Sequence, residues 1–314
     1  MRSETKLAIT LLTAAGMTCA QVQAQRNMAI PFAEKISAQE RTVNELSGKT
    51  DGVAWLKLAI LYQDAARYSN AESAYGKAIA LLKTGDRGTF ARALDQMGTL
   101  YVEQGKFSKA EPLERKALEI REDTKDTVGI GVSYTHLAIV SYGRHDLASA
   151  EADAEMAASI LIPEHPDHSA ESNATPEEQM SALINLSLIR CARGDCDRAI
   201  HDLNRALNLA HAHYAINSVP VGLIDFLLGY AHWKNGDDRT AAELMLAGTT
   251  EMKEQLGWGH PTYVAALKQY RSLLAQRGKA AEADELRVRI ARLEKSPRAS
   301  FQTDSTLIGL NQLR

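Results

Sequence analysis

The chain has 314 residues, of which 36 are Lys or Arg and 39 are Asp or Glu, so its formal net charge is −3 at pH 7. A slightly acidic balance argues against a nucleic-acid-binding protein, which needs a basic surface, and against adhesion to an anionic membrane. Length alone suggests about two domains, but internal repeats, described below, indicate a single array.

Residues 1–24 have the pattern of a secretory signal peptide. Arg2 and Lys6 precede the uncharged stretch LAITLLTAAGMTCA, and Val22 and Ala24 supply small residues before a cleavage site. The apolar stretch is shorter than the roughly 20 residues of a membrane-spanning helix. We therefore predict cleavage after Ala24 and a periplasmic or secreted chain with no stable membrane insertion. An uncleaved anchor is the alternative.

Residues 25–50 are predicted to form a linker and a leading helix. Pro31 suits a first helical turn, and Gly48 suits the end of the helix. The apolar positions of this helix are Phe32, Ile36, Val43 and Leu46. Because the end of a repeat array needs a cover, we interpret the helix as a cap on the first repeat.

Residues 94–118, LDQMGTLYVEQGKFSKAEPLERKAL, predict two short helices joined by a turn at Gly105. Apolar or small residues recur at helical spacing in both halves. In the first half they are Leu94, Met97, Gly98 and Tyr101, and in the second Phe107, Ala110, Leu113, Ala117 and Leu118. Gly98 and Ala110 are expected to face each other, because small side chains allow two helices to pack closely.

The same pattern recurs six times within residues 51–295. The small residue of the second helix is Ala71, Ala110, Ala150, Ala199, Ala241 and Ala283. Twelve positions earlier stand Ala59, Gly98, Ala138, Ser187, Gly229 and, as the exception, Arg271. The turn residue is Gly105, Gly194, Gly236 or Gly278, with Ala66 and His145 in its place in repeats one and three. The predicted repeats span residues 52–82, 88–122, 126–162, 179–213, 221–252 and 261–294, and the proline-containing segment 163–178 is predicted to be an exposed connection ending in a helix start at Thr175.

These repeats resemble the tetratricopeptide repeat (TPR) family. Their spacings of 39, 40, 49, 42 and 42 residues, with QGKFSKAEPLERKALEIRE at 104–122 and GHPTYVAALKQYRSLLAQRGKAAEADEL at 259–286, are similar to the kinesin-light-chain-like subclass, here of an exported bacterial type. The resemblance implies an all-α, right-handed superhelical solenoid of about six helix-turn-helix units, with a leading helix, an irregular C-terminal tail and a concave binding face. An irregular helical array of another repeat class is the alternative.

The sequence shows no motif for catalysis, a cofactor or a metal ion. His165 and His168 lie near acidic residues in the 163–178 segment, but metal-ligand spacings such as HExxH are absent. His136, His201 and His232 belong to different repeats. We therefore predict a protein that is not an enzyme, with no catalytic residue, cofactor or metal site.

Cys191 and Cys196 flank the turn of repeat four and leave two interpretations open. In an exported chain the two thiols can form a disulfide across the turn. Alternatively, both act as small apolar residues, with Cys196 at the packing position of Phe107.

The resemblance implies that outward-facing positions of each first helix line the concave groove. The partner-binding residues so predicted are Arg92, Gln96, His136, Tyr142, Asn185, Phe226, Tyr230, Trp233 and Lys234. For Phe226 and Trp233 the alternative is burial between repeats. The predicted function is a non-enzymatic scaffold that binds an extended peptide or protein segment. The alternative is a non-catalytic accessory subunit of an envelope enzyme or transport complex.

Residues 296–314 form the predicted tail. Ser296 and Pro297 end the last helix, yet Phe301, Leu307, Ile308, Leu310 and Leu313 are more apolar than a solvated tail requires. We predict that the tail docks back on its own chain, against repeat six or the groove. The alternative is a disordered end that orders only on a partner.

Overall fold

The computed structural model describes residues 32–45, 51–162, 173–256 and 260–295. The predicted signal peptide, the linker before residue 32, most of the 163–178 segment and the C-terminal tail lie outside these residues. Within them the secondary structure is helix and turn, with thirteen α-helices and no strand. The all-α prediction is therefore confirmed.

The helices follow one another in pairs after a leading helix. The leading helix is α1 (Phe32–Glu45), and the pairs are α2 (Gly52–Asp64) with α3 (Tyr68–Leu82), α4 (Arg87–Glu103) with α5 (Phe107–Thr124), α6 (Thr127–Gly143) with α7 (Leu147–Leu161), α8 (Pro176–Ala192) with α9 (Cys196–His213), α10 (Val219–Lys234) with α11 (Asp238–Leu256), and α12 (Pro261–Gln276) with α13 (Ala280–Lys295). Each pair is one of the six repeats that the sequence predicts. No helix in the described part of the chain is long and apolar enough to cross a bilayer.

The helices fall into two compact units, α1–α7 and α8–α13. In the first unit each helix packs against the next, and the first helices of neighbouring repeats also meet, α2 with α4 and α4 with α6. In the second unit the same arrangement joins α8 with α10. The first helices of repeats one to three therefore lie side by side, and so do those of repeats four and five.

Several helices begin with a side-chain cap. The carboxylate of Asp86 accepts from the backbone N–H of Thr89, and Asp126 does the same for Gly129. At α8 the Thr175 hydroxyl accepts from Glu178 N–H while Glu178 accepts from Thr175 N–H, which completes a capping box. The predicted helix start at Thr175 is confirmed.

The turn inside each repeat has a left-handed residue at the same position. Gly105, Gly194, Gly236 and Gly278 have φ values of 69°, 90°, 87° and 74°. Ala66 and His145 adopt φ values of 55° and 64° at this position, although left-handed backbone costs a residue with a Cβ roughly 1–2 kcal/mol. The turn therefore keeps its geometry even where glycine is replaced.

The small residues of the repeats are buried, and Gly98 has a charged side chain directly over it. All six second-helix alanines are buried. A Cβ on Gly98 would lie 2.0 Å from Glu114 Oε1, and its three nearest neighbours are all atoms of Glu114. Gly98 therefore leaves the space that the Glu114 carboxylate fills.

Helix α1 covers the first repeat, as predicted for a cap. Ile36 and Val43 are buried in the same core as the α2 and α3 side chains. Gln39 Nε2 donates to the Ala54 carbonyl oxygen at 3.0 Å, and the Tyr62 hydroxyl donates to Glu40 Oε1 at 2.5 Å. The other two predicted apolar positions, Phe32 and Leu46, lie outside the described side chains.

Cys191 and Cys196 form a disulfide, with their Cα atoms 4.3 Å apart. The bond joins the end of α8 to the start of α9 across the left-handed Gly194. Of the two interpretations left open by the sequence, the structure has the disulfide.

Candidate functional site

The predicted groove residues differ in their access to solvent. Arg92 and Lys234 are exposed, and Gln96, His136, Tyr230 and Trp233 are half-buried. The other three, Tyr142, Asn185 and Phe226, are buried.

Burial corrects the prediction that Tyr142, Asn185 and Phe226 contact a partner. Phe226 is 0% exposed, because a Cβ on Gly248 of α11 would lie only 2.9 Å from Phe226 Cβ. Its face of α10 is thus covered by the second helix of its own repeat. Phe226 is thus buried, as in the alternative interpretation, but the contact seen here is with the second helix of its own repeat and not between repeats.

A buried group of ionisable side chains surrounds His136 in the first unit. We call Asp95 on α4, Glu114 on α5 and His136 on α6 the acidic–histidine cluster. His136 Nδ1 lies 3.1 Å from Glu114 Oε2 and 3.9 Å from Asp95 Oδ1. Asp95 and Glu114 are 2% and 1% exposed, whereas the His136 side chain is 26% exposed. His136 is therefore the cluster's contact with solvent.

Arg121 of α5 holds one edge of this cluster. Its guanidinium donates to Asp95 Oδ2 and, at 2.6 Å, to Ser133 Oγ. The other carboxylate oxygen, Asp95 Oδ1, is buried and has no hydrogen-bond partner. A buried polar atom without a partner is costly, so Asp95 Oδ1 is a position where a ligand would be stabilised.

The electrostatics of the cluster favour a shared proton between Glu114 and His136. Burial raises the pKa of Glu114 to about 7, and the nearby His136 opposes that rise. Burial by itself would lower the pKa of His136, but the carboxylates of Glu114 and Asp95 outweigh it and raise the pKa. Groups with such shifts in a polar cluster are typical of functional sites as well as of structural ion pairs.

Sequence reasoning missed Glu114, although a signal for it was present. Glu114 stands four residues after the small alanine of α5. The same position in the other repeats holds Tyr75, Ala154, Leu203, Met245 and Arg287. The first four of these are buried and have no charge, so a carboxylate at this position breaks the pattern of the core.

Two glycines make the cluster possible. Gly98 leaves the space that Glu114 occupies, as described above. A Cβ on Gly129 would lie 2.7 Å from Arg121 Cδ and 2.1 Å from Asp126 Oδ2. Gly129 at the start of α6 therefore leaves room for the Arg121 side chain.

In the second unit Tyr230, Trp233 and Lys234 form an aromatic patch at the end of α10. The two rings meet edge to face, with centroids 6.1 Å apart. Lys234 Nζ lies 5.4 Å from the Tyr230 centroid and 5.2 Å from that of Trp233. Trp233 Nε1 donates to Gln276 Oε1 of α12 at 2.9 Å. Half-buried aromatic rings beside a cation offer both apolar and polar contact to a partner.

Comparison with protein families identifies the repeat type. Residues 50–123, which include the first two repeats, match the model of the tetratricopeptide repeat. No curated protein matches this sequence.

Solved structures with the same kind of fold cover most of the chain. Apo RapI has a TM-score of 0.65 at 11% identity, over 84% of this chain and 70% of that chain. A Rap protein in complex with competence and sporulation factor has a TM-score of 0.63 at 15% identity, over 86% and 72%. Kinesin light chain TPR-like repeats from Podosopora anserina have a TM-score of 0.53 at 16% identity, over 67% and 98%. At these identities the likeness establishes a TPR-like helical repeat fold.

Proposed function

We propose that the protein is a non-enzymatic scaffold that binds an extended peptide or protein segment through the first helices of its repeats. The observation that carries this proposal is the aromatic patch, because its two rings stay half-buried and meet each other with a lysine beside both of them. A fold of the same type holds a separate factor in the Rap protein complex. Helical repeats that contact only their neighbours commonly present such extended binding surfaces.

The patch indicates the chemistry of the segment that it would bind. Tyr230 and Trp233 favour an apolar or aromatic anchor, since such residues dominate the energy of protein interfaces. Lys234 is exposed and adds a positive charge beside both rings. A segment with an apolar side chain next to a carboxylate fits this combination best.

We further propose that the scaffold works outside the cytoplasm. The signal-peptide pattern of residues 1–24 supports export. The Cys191–Cys196 disulfide is a second, independent support, because disulfides persist mainly in oxidising compartments. Amino-terminal sequencing of the mature protein from the producing cell would test this, with Gln25 expected as the first residue.

A selection from a random peptide library tests the binding site. Peptides enriched on the full mature chain are synthesised, and their affinities are measured for the wild type, Tyr230→Ala and Trp233→Ala. Both substitutions should weaken binding at least tenfold, which is about 1.4 kcal/mol, as expected for aromatic anchors. The matched control is Leu246→Ala, which removes an exposed apolar side chain from the second helix of the same repeat.

Equal affinities for the wild type and both patch variants would refute the proposed site. Recovery of one large complex from the cell envelope in fixed stoichiometry, unchanged in both variants, would instead favour the accessory-subunit alternative. Circular dichroism of the variants distinguishes a lost contact from a lost fold.

A further inference from the structure

We propose that the acidic–histidine cluster is a binding site for one divalent transition-metal ion, held by Asp95 Oδ1, Glu114 Oε2 and His136 Nδ1. The three residues come from three consecutive helices, α4, α5 and α6, of two neighbouring repeats. Each contributes one ligand atom, and all these atoms lie within 4.8 Å of one another. This site is separate from the aromatic patch and does not depend on the proposed function.

The spacing of the ligand atoms fits a metal ion at their centre. Bonds of about 2.0–2.2 Å in tetrahedral geometry place two ligand atoms roughly 3.4 Å apart. His136 Nδ1 is 3.1 Å from Glu114 Oε2 and 3.9 Å from Asp95 Oδ1. Both separations are near that value, and all three atoms lie within 4.8 Å of one another, so rotations of the side chains can bring them onto one ion.

The surroundings of Asp95 Oδ1 point to a ligand. This oxygen belongs to a side chain that is only 3% exposed, it has no hydrogen-bond partner, and it lies on the His136 side of the cluster. An ion at this centre would satisfy the unpartnered oxygen. On binding, the ion would displace the proton that Glu114 and His136 share, because metal ligands must be deprotonated.

Neighbouring side chains hold the proposed ligands in place, as hydrogen-bonded groups around known metal sites do. Arg121 fixes Asp95 through Oδ2 and is itself held by Ser133, so Oδ1 keeps its direction. Glu114 is confined by the surface of Gly98. The partly exposed His136 gives a path by which an ion and its remaining water ligands enter.

The donor set selects the class of metal. Imidazole nitrogen with carboxylate oxygens suits Zn²⁺, Co²⁺ and related ions, whereas Mg²⁺ and Ca²⁺ prefer oxygen ligands alone. The site should therefore bind Zn²⁺ and Co²⁺ and discriminate against Mg²⁺ and Ca²⁺.

The test uses the untagged mature chain after removal of bound metals with a chelator. Titration with Co²⁺ alone should give one ion per chain and a visible d–d absorption, and Zn²⁺ should displace it. His136→Gln should weaken Co²⁺ binding at least tenfold, because one of three protein ligands is lost. The matched control, His201→Gln, changes an exposed histidine in the other unit and should bind as the wild type does.

A second variant distinguishes the loss of a metal ligand from the loss of the fold. Glu114→Gln keeps the shape of the buried side chain and should also lose Co²⁺ binding, while the thermal midpoint of each metal-free variant reports on its fold. The proposal is overturned if wild type and His136→Gln bind Co²⁺ equally, if binding follows His201 instead, or if no saturable binding is found. A wild-type thermal midpoint that rises with Zn²⁺ but not with Mg²⁺, and only when His136 is present, supports it.

Discussion

Glu103 provides a direct test of the buried polar contacts between the first two repeats. Its carboxylate is 5% exposed at the end of α4, where Gln63 Nε2 donates to Oε1 at 2.9 Å and Oε2 has no partner. The Tyr75 hydroxyl in turn donates to Gln63 Oε1 at 2.6 Å. Burial raises the pKa of Glu103 from 4.5 to about 8, although the hydrogen bond from Gln63 opposes the rise.

This raised pKa fixes the sign and size of the expected effect. Between pH 4.5 and pH 8 the unfolded chain has released a proton that the folded protein keeps, so Glu103 lowers stability as pH rises through this window. Below pH 4.5 both states are protonated and the effect vanishes. At about 1.4 kcal/mol per pH unit, the cost at pH 7 is about 3 kcal/mol. Glu103→Gln should remove that cost, because the amide is neutral and still accepts from Gln63.

Urea denaturation at pH 4 and pH 7 measures the difference. The free energy of unfolding of Glu103→Gln, relative to wild type, should increase by about 3 kcal/mol between these two pH values. Glu122→Gln, an exposed carboxylate on α5, serves as the control and should show no such change. A constant difference between Glu103→Gln and wild type at both pH values would show that Glu103 is ionised in the folded protein, and the reasoning would fail.

Two further predictions concern packing and the C-terminal tail. Gly98→Ala places a Cβ 2.0 Å from Glu114 Oε1 and should lower the free energy of unfolding by about 1–3 kcal/mol. Gly76→Ala on α3 meets nothing within 4 Å and should raise the free energy of unfolding by about 0.5–1 kcal/mol. Thermal denaturation of both variants measures the difference, and equal effects would contradict the close approach of Glu114 to Gly98. Deletion of residues 297–314 should lower the thermal midpoint and raise peptide affinity if the tail docks on its own chain. Unprotected amides at residues 303–314 in hydrogen exchange would refute that docking.

The helix pairs were predictable from sequence because their signals are local. A small residue, a turn residue and a second small residue recur at fixed offsets, and each offset reflects contacts within one helix pair. The turn position could even be located in the repeats that carry Ala66 and His145, since the flanking pattern fixes it. The positions of the two helices and their turn can therefore be predicted from the sequence of one repeat, without reference to its neighbours.

The acidic–histidine cluster and the burial of Phe226 depend on contacts that no single repeat specifies. His136 meets Glu114 only because α6 packs beside α5 and α4, so its neighbours are set by the stacking of two repeats. Phe226 was assigned to the groove from its position on α10, but the absence of a side chain on Gly248 lets α11 cover it. Which face of a first helix is covered therefore depends on residue size on another helix.

The left-handed turns have a consequence for how this chain tolerates change in length. Every connection inside a repeat is three residues long, from Asp64 to Tyr68 in the first repeat to Gln276 to Ala280 in the last. Connections between repeats run from two residues, after Thr124, to fourteen, after Leu161. The repeats of this chain thus differ in length at the joints between pairs and not at the turns within a pair. A recognition loop grafted onto this protein should therefore be placed in those joints, and the three-residue turn inside each repeat should keep its length.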